Sequence, residues 1–281
     1  EAIAHTLVNL GNLHVGADRR LCIRLESDPE ARILRVIDNG IGMSRAELIE
    51  NLGTIARSGT RRYLEALRAE GKGSELPRLI GQFGVGFYSA FMVAEELRVD
   101  TWRAGEALGT RWVSQGRGEY TLEELAGGAR GTSVELRLRP RGEDDPTWQD
   151  FTDPELLAEL VRRYSDFVEH PIEMAAVHFP EAPAERKSGS EEGLEVVRLN
   201  SMKPLWARPR ESVTADEHRE FYRHLTHQGD EPLETVHLEV EGAASWTALL
   251  YLPSERPLDL FEAERARSRL ALYVKRVFIM A

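Results

Sequence analysis

The sequence predicts an α+β chain in two parts, and three observations carry that expectation. Segments such as Leu21–Glu26, Arg32–Ile37 and Thr132–Leu138 alternate apolar with charged residues, the two-residue period of half-buried strands. Between them lie runs of helical spacing opened by capping signals: Ser44 with Glu47, Asp153 with Pro154, and Thr214 with Glu217. A stretch with no large apolar residue, 181–193, reads as a solvated linker between residues 1–180 and 194–281.

Taken in order, residues 1–10 are helix-like and 21–26 read as a strand. The strand at 32–37 runs into Asp38-Asn39-Gly40-Ile41-Gly42-Met43. Ser44 opens a helix with Leu48, Ile49 and Leu52 on one face and Gly53 as its stop. Residues 54–60 are small and polar, 61–70 form a short charged helix, and Gly71-Lys72-Gly73 closes it. Glycines bracketing a charged helix have the make-up of a lid over about 54–86. Gly81-Gln82-Phe83-Gly84-Val85-Gly86-Phe87 follows, and Phe87–Ala94 reads as a buried helix. Strands are expected at 97–102, 110–114 and 132–138, then a helix from Pro154 with a core stripe from Leu156 to Phe167. In the second part Phe221, Tyr222 and Leu225 mark a helix, and 235–240 with 246–252 a hairpin joined at Gly242.

Composition narrows the classes. With 281 residues and 42% hydrophobic content, the chain can bury a core and fill about two domains. A net charge of −11 argues against a nucleic-acid surface. The single Cys22 excludes a disulfide framework and fits a reducing, cytoplasmic setting. No apolar run approaches the ~20 residues needed to span a bilayer. The chain starts at Glu1 and stops within an apolar run, so it reads as a piece cut at both ends.

Two stretches carry chemistry. Glycines at 81, 84 and 86 feeding a helix start can aim free N–H groups at phosphate, and the same pattern also serves a helix-to-helix turn with packing glycines. There is no Lys-Ser/Thr of a P-loop. Asp38, at a strand end beside a glycine turn, either starts a turn or offers an acceptor to an exocyclic amine such as adenine's, with Ile41 and Met43 as apolar walls.

Asp38–Met43, Asn51-Leu52-Gly53-Thr54-Ile55-Ala56-Arg57-Ser58-Gly59-Thr60 and Gly81–Phe91 together resemble, in order and spacing, three signature blocks of the 90-kDa heat-shock chaperones. These belong to the superfamily of gyrase, chaperone, histidine-kinase and MutL ATPases. Asn200–Trp206, Leu258–Glu262 and Tyr273–Met280 resemble the same family's middle domain. The resemblance implies a two-layer α/β sandwich, the Bergerat ATP-binding fold with a mixed, mostly antiparallel sheet covered by helices, followed by part of a second α/β domain. It implies ATP and ADP as ligands with Mg2+, client proteins as partners, and a homodimer formed through a C-terminal domain absent from this sequence. Neither nucleic acid nor membrane is implied.

Carried over residue by residue, it assigns adenine selection to Asp38 with Thr132, and lining of the site to Gly42, Met43, Asn51 and Leu52. Arg57 and Ser58 fall near the phosphates, which Gly84, Val85, Gly86 and Phe87 would cradle. Arg57 stands where Lys is more usual, and the two hydrogen-bond differently.

The first helix departs from the pattern. The family places a general-base Glu four residues before a magnesium-site Asn; Glu1 is present, but His5 stands at the Asn position. The other register puts Asn9 at the Asn position and His5 at the Glu. Imidazole is a poor magnesium ligand. An Arg that reaches the γ-phosphate is expected from a segment beyond Ala281. The residues therefore favour an ATP-driven chaperone. The alternatives are a nucleotide-sensing module without useful turnover, and a histidine kinase or DNA-repair ATPase of the same superfamily.

Overall fold

The computed structural model describes residues 20–53, 86–140, 148–179, 181, 185–186, 195–226, 230–242, 245–254, 270–274 and 276–280. It divides into two compact units, Glu1–Ser201 and Met202–Ala281.

In the first unit, strands β1 (Ile23–Asp28), β2 (Ile33–Asp38), β3 (Ala94–Trp102), β4 (Leu108–Ser114), β5 (Tyr120–Ala126), β6 (Gly131–Leu138), β7 (Ile172–Ala175), β8 (Glu185–Arg186) and β9 (Glu195–Arg198) form one sheet. Its order is β5-β4-β3-β6-β2-β1-β7-β9-β8. Every pairing is antiparallel except β1 with β7. The mixed, mostly antiparallel sheet expected from the sequence is therefore present.

The sheet has two chemically distinct faces. Leu25, Leu34, Val36, Leu97, Val99, Trp112, Val134 and Leu136 share one buried core with Leu48 and Leu52 of α1 (Arg45–Leu52) and Leu157 and Val161 of α2 (Pro154–Tyr164). The other face carries charge in cross-strand register. Arg35 pairs with Glu135 at 2.6 Å, Arg98 lies 3.5 Å from the same carboxylate, and Arg111 meets Asp100 at 2.7 Å. Among the described residues, one apolar and one charged face make a sheet with helices packed on its apolar side, the two-layer arrangement.

Both helix starts follow the sequence signals. At α1 the Ser44 hydroxyl accepts from the Glu47 N–H and the Glu47 carboxylate accepts from the Ser44 N–H, a complete capping box. Asp153 caps α2, with Pro154 in its first turn. Gly53 does stop α1, though not through a left-handed conformation: its φ is −85°, and a Cβ there would sit 2.8 Å from the Tyr120 hydroxyl.

Several boundaries differ from expectation. The run at 87–94 forms a 3-10 helix, Gly86–Met92, and Ala94 already opens β3 as a fully buried inward residue. β5 lacks strand alternation because it is an exposed edge carrying Glu123 and Glu124. The compositional boundary at 181–193 is largely outside the described residues. Val196, Val197 and Leu199 beyond it are buried in the first unit, and the Asn200 carboxamide binds the Ile172 N–H at 2.8 Å. The units accordingly divide at Ser201/Met202. The expected helices at 1–10 and 61–70, the lid apart from Gly86, and Leu258–Glu262 lie outside the described residues.

In the second unit α3 (Ala215–Thr226) follows a second capping box, Thr214 with Glu217. Phe221 and Tyr222 are buried on it, and His218 Nδ1 lies 2.9 Å from the Tyr251 hydroxyl on the hairpin of β10 (Pro232–Val240) and β11 (Trp246–Pro253). The run at 273–280 folds back on itself as β12 (Leu272–Val274) and β13 (Val277–Met280).

Ser44→Ala removes one half of the α1 capping box and should lower unfolding free energy by about 1 kcal/mol. The urea midpoint measures it; an unchanged midpoint would show that tertiary packing alone holds this helix end.

Candidate functional site

On the four adjacent strands β2, β6, β3 and β4 an inward apolar residue gives way to a polar one at the same end of the sheet. Leu34 and Val36 lead to Asp38, and Leu97 and Val99 lead to Thr101. On β6, Thr132 precedes Val134 and Leu136, and on β4, Thr110 precedes Trp112. Pairing sets Asp38 opposite Thr132, Thr132 opposite Thr101, and Thr101 opposite Thr110. Residues directly opposite share a face, so the four side chains form one row. None is more than 5% exposed.

A buried polar row is costly unless bonded, and most of this one is. The Thr101 hydroxyl accepts the Met43 N–H at 2.9 Å, lies 3.1 Å from the Gly131 carbonyl, and lies 3.0 Å from the Thr132 hydroxyl. Asp38 Oδ1 accepts the Gly40 N–H at 2.8 Å. Asp38 Oδ2 is different: it is buried and has no hydrogen-bond partner among the described residues. Burial pushes the carboxyl up to about 7, against smaller opposing effects of the Gly40 and Thr132 N–H groups. A carboxylate this deep with a free oxygen is the feature expected of a group kept for a ligand.

The loop after Asp38 is held tightly against the end of β3. Asn39 accepts the Cys22 N–H at 2.9 Å and donates to the Arg20 carbonyl at 2.9 Å. The Ala104 N–H reaches the Ile41 carbonyl at 2.7 Å. Gly42 has φ +69°, and a Cβ on it would lie 1.9 Å from the Trp102 carbonyl oxygen. Gly131, at φ +130°, would place a Cβ 2.1 Å from the Asp38 carbonyl oxygen. Both positions exclude a side chain twice over, by conformation and by space. The loop thereby delivers Met43, which is buried, and α1, whose Leu48 and Leu52 are buried beside it. The Asn51 amide is 4.0 Å from Met43 Sδ.

Six of the predicted site residues therefore cluster: Asp38, Gly42, Met43, Asn51, Leu52 and Thr132. Gly86 opens the 3-10 helix, and Phe87 is a core residue with its ring centroid 5.7 Å from Trp112. The next residue, Tyr88, donates its hydroxyl to the Leu52 carbonyl at 2.9 Å, tying this segment to α1. Glu1, His5, Asn9, Arg57, Ser58, Gly84 and Val85 lie outside the described residues. Sequence reading missed Thr101 and the part played by Gly131. The signal for Thr101 was its phase, since it occupies the inward register of Leu97 and Val99.

Two family profiles match the chain. One, described as "Histidine kinase-, DNA gyrase B-, and HSP90-like ATPase", covers residues 17–124 and so includes the whole of β2, α1 and β3. The other, described as "Hsp90 protein", covers 180–281. Proteins named Chaperone protein HtpG are similar along most of the chain. That of Salinispora tropica is 48% identical over 260 residues, that of Streptomyces coelicolor 48% over 261, and that of Mycobacterium tuberculosis 45% over 265. The chain belongs to the Hsp90 family. Each alignment takes in 92% of this chain and 40% of the relative, so this Hsp90-family chain spans about 40% of the length of those relatives. Its first unit has the ATP-binding fold of the profile that matches it.

The Asp38 carboxyl also fixes a pH dependence for this Hsp90-family chain. Its folded value is raised above the ordinary 3.8, so folding favours the neutral form. The resulting cost is absent below pH 3.8, grows as pH rises to about 7, and is constant above that. Asp38→Asn removes it. The variant without ligand should be more stable than the parent at pH 8, by up to roughly 4 kcal/mol, with the difference shrinking toward zero at pH 4. Denaturant melts at the two pH values check this, and a variant less stable at pH 8 would show that the carboxylate is satisfied within the fold.

Proposed function

We propose that this Hsp90-family chain binds ATP and ADP with the adenine amine on Asp38, and that within a longer protein it hydrolyses ATP to drive the conformational cycle of a molecular chaperone acting on client proteins. The observation that carries the reading is Asp38 Oδ2, buried and without a partner among the described residues, in one row with Thr132 and with Thr101, whose hydroxyl holds the Met43 N–H. An ionised carboxylate only accepts. It suits adenine's exocyclic amine and opposes the carbonyl that guanine carries at that place. The Thr132 hydroxyl would assist through a bridging water, and Asn51 would line the site. The phosphates would fall to the glycine segment up to Gly86, with Arg57 and Ser58 adding charge and hydrogen bonds.

Hydrolysis would use Glu1 as general base, and Mg2+ would supply positive charge to offset that of the phosphates. Among the described residues no group of three His, Cys, Asp or Glu side chains could hold a metal. The family pattern would put the magnesium position near His5 or Asn9. The homodimer is proposed for the longer protein, through a C-terminal domain. A cytoplasmic setting fits the single Cys22; among the described residues no helix is long and apolar enough to cross a membrane. A second reading, nucleotide binding without useful turnover, is favoured by His5 standing where the family pattern has Asn.

Calorimetry should show ADP and ATP binding to the parent and much weaker binding of GDP. Asp38→Asn should lose ten- to several-hundred-fold in ADP affinity, the cost of a buried charged hydrogen bond of about 1.5–3 kcal/mol or more. Equal ADP binding by variant and parent would remove Asp38 from the site. Because the amine favours the ionised carboxylate, ADP binding should also release a proton below pH 7 and weaken as pH falls. Titrations in buffers of different ionisation enthalpy measure that release, which should vanish in Asp38→Asn. A phosphate-release assay at saturating ATP separates the two readings of turnover.

A further inference from the structure

Thr101 makes three contacts through one hydroxyl, and a hydroxyl has one proton and two lone pairs. The Met43 N–H takes one lone pair at 2.9 Å. The Gly131 carbonyl, 3.1 Å away, can only accept, so the Thr101 proton is directed there. The remaining neighbour is the Thr132 hydroxyl at 3.0 Å, and the one unused group on Thr101 is its second lone pair. Thr132 must then be the donor of that bond. We infer that Thr101 is a positioning residue for base selectivity: by taking the Thr132 proton, it leaves the Thr132 oxygen an acceptor toward the site. Thr101 is fully buried and therefore acts only through Thr132 and the Met43 main chain. The consequence is a floor on which Asp38 Oδ2 and Thr132 Oγ1, opposite each other across β2 and β6, both require donors. A base with an exocyclic amine, or a water donating to Thr132, meets that demand. A base with a carbonyl there does not, and unpaired polar groups in a buried site are where discrimination is largest.

The inference rests on the adenine reading, and nucleotides that differ only at the 6-position and in the proton on the adjoining N1 separate the two. ADP carries the amine and IDP a carbonyl. The parent should prefer ADP; equal binding of both, or of neither, overturns the adenine reading itself. Thr101→Val keeps the shape but frees the Thr132 proton to turn toward the ligand. It should narrow the ADP-to-IDP preference roughly tenfold, about one hydrogen bond, whereas Thr101→Ser should keep the parental preference. A purely structural role would weaken both nucleotides equally and leave the ratio alone. The same Thr101→Val change in a Thr132→Ala background should no longer move the ratio. An unchanged ratio in Thr101→Val, or the same narrowing without the Thr132 hydroxyl, overturns the inference. Should Thr101→Val fail to fold, the parent still decides: NMR should show a protected Thr132 hydroxyl proton close to Thr101 in the ADP complex, and rapid exchange of that proton would count against it.

Discussion

Asp38 carries one oxygen that the described residues satisfy and one that they do not, in a position with almost no access to water. Much of the first unit can be understood from that constraint. A carboxylate so placed opposes folding when ionised, and the apolar rows behind it on β2, β6 and β3 supply burial that offsets the cost. The second oxygen could have been satisfied by a serine or an N–H turned toward it. Instead no described residue donates to it, while the neighbouring Thr101 and Thr132 hydroxyls lie 3.0 Å apart.

Backbone proximity makes that arrangement possible. Gly42 lies against the end of β3 and Gly131 against Asp38 itself, at separations no Cβ could share. With the loop pinned at Ile41, Met43 and Asn39, α1 starts where its capping box dictates and its buried leucines close one side of the cluster. Site and core are therefore one structure. Met43, Leu48 and Leu52 belong to the same apolar cluster as the sheet, so a change made for binding is also felt in stability.

The charged face of the sheet has a simpler logic. Its pairs of Arg with Glu or Asp are partly exposed, so they contribute modestly to stability. Their register leaves polar residues on that face and apolar ones on the other, which a one-residue slip in pairing would exchange. The same alternation that keeps this face wet therefore turns Asp38, Thr132, Thr101 and Thr110 inward together.

The sequence by itself determined the elements whose signals are local. Strand alternation at β1, β2 and β6 and the capping residues Ser44, Asp153 and Thr214 act within a few positions, and the structure follows them. The blocks around Asp38 and Asn51 were legible for the same reason, since the motif residues are close along the chain. Only the tertiary structure decided what depends on pairing distant strands. β5 was hidden because an edge strand needs no apolar face, and the unit boundary moved because the residues after the polar stretch still had a sheet edge to join. The place of Thr101 beside Asp38 and Thr132 was unreadable because it arises from strands that bring positions 38, 101 and 132 side by side. A single threonine in a strand says nothing until its neighbours across the sheet are known.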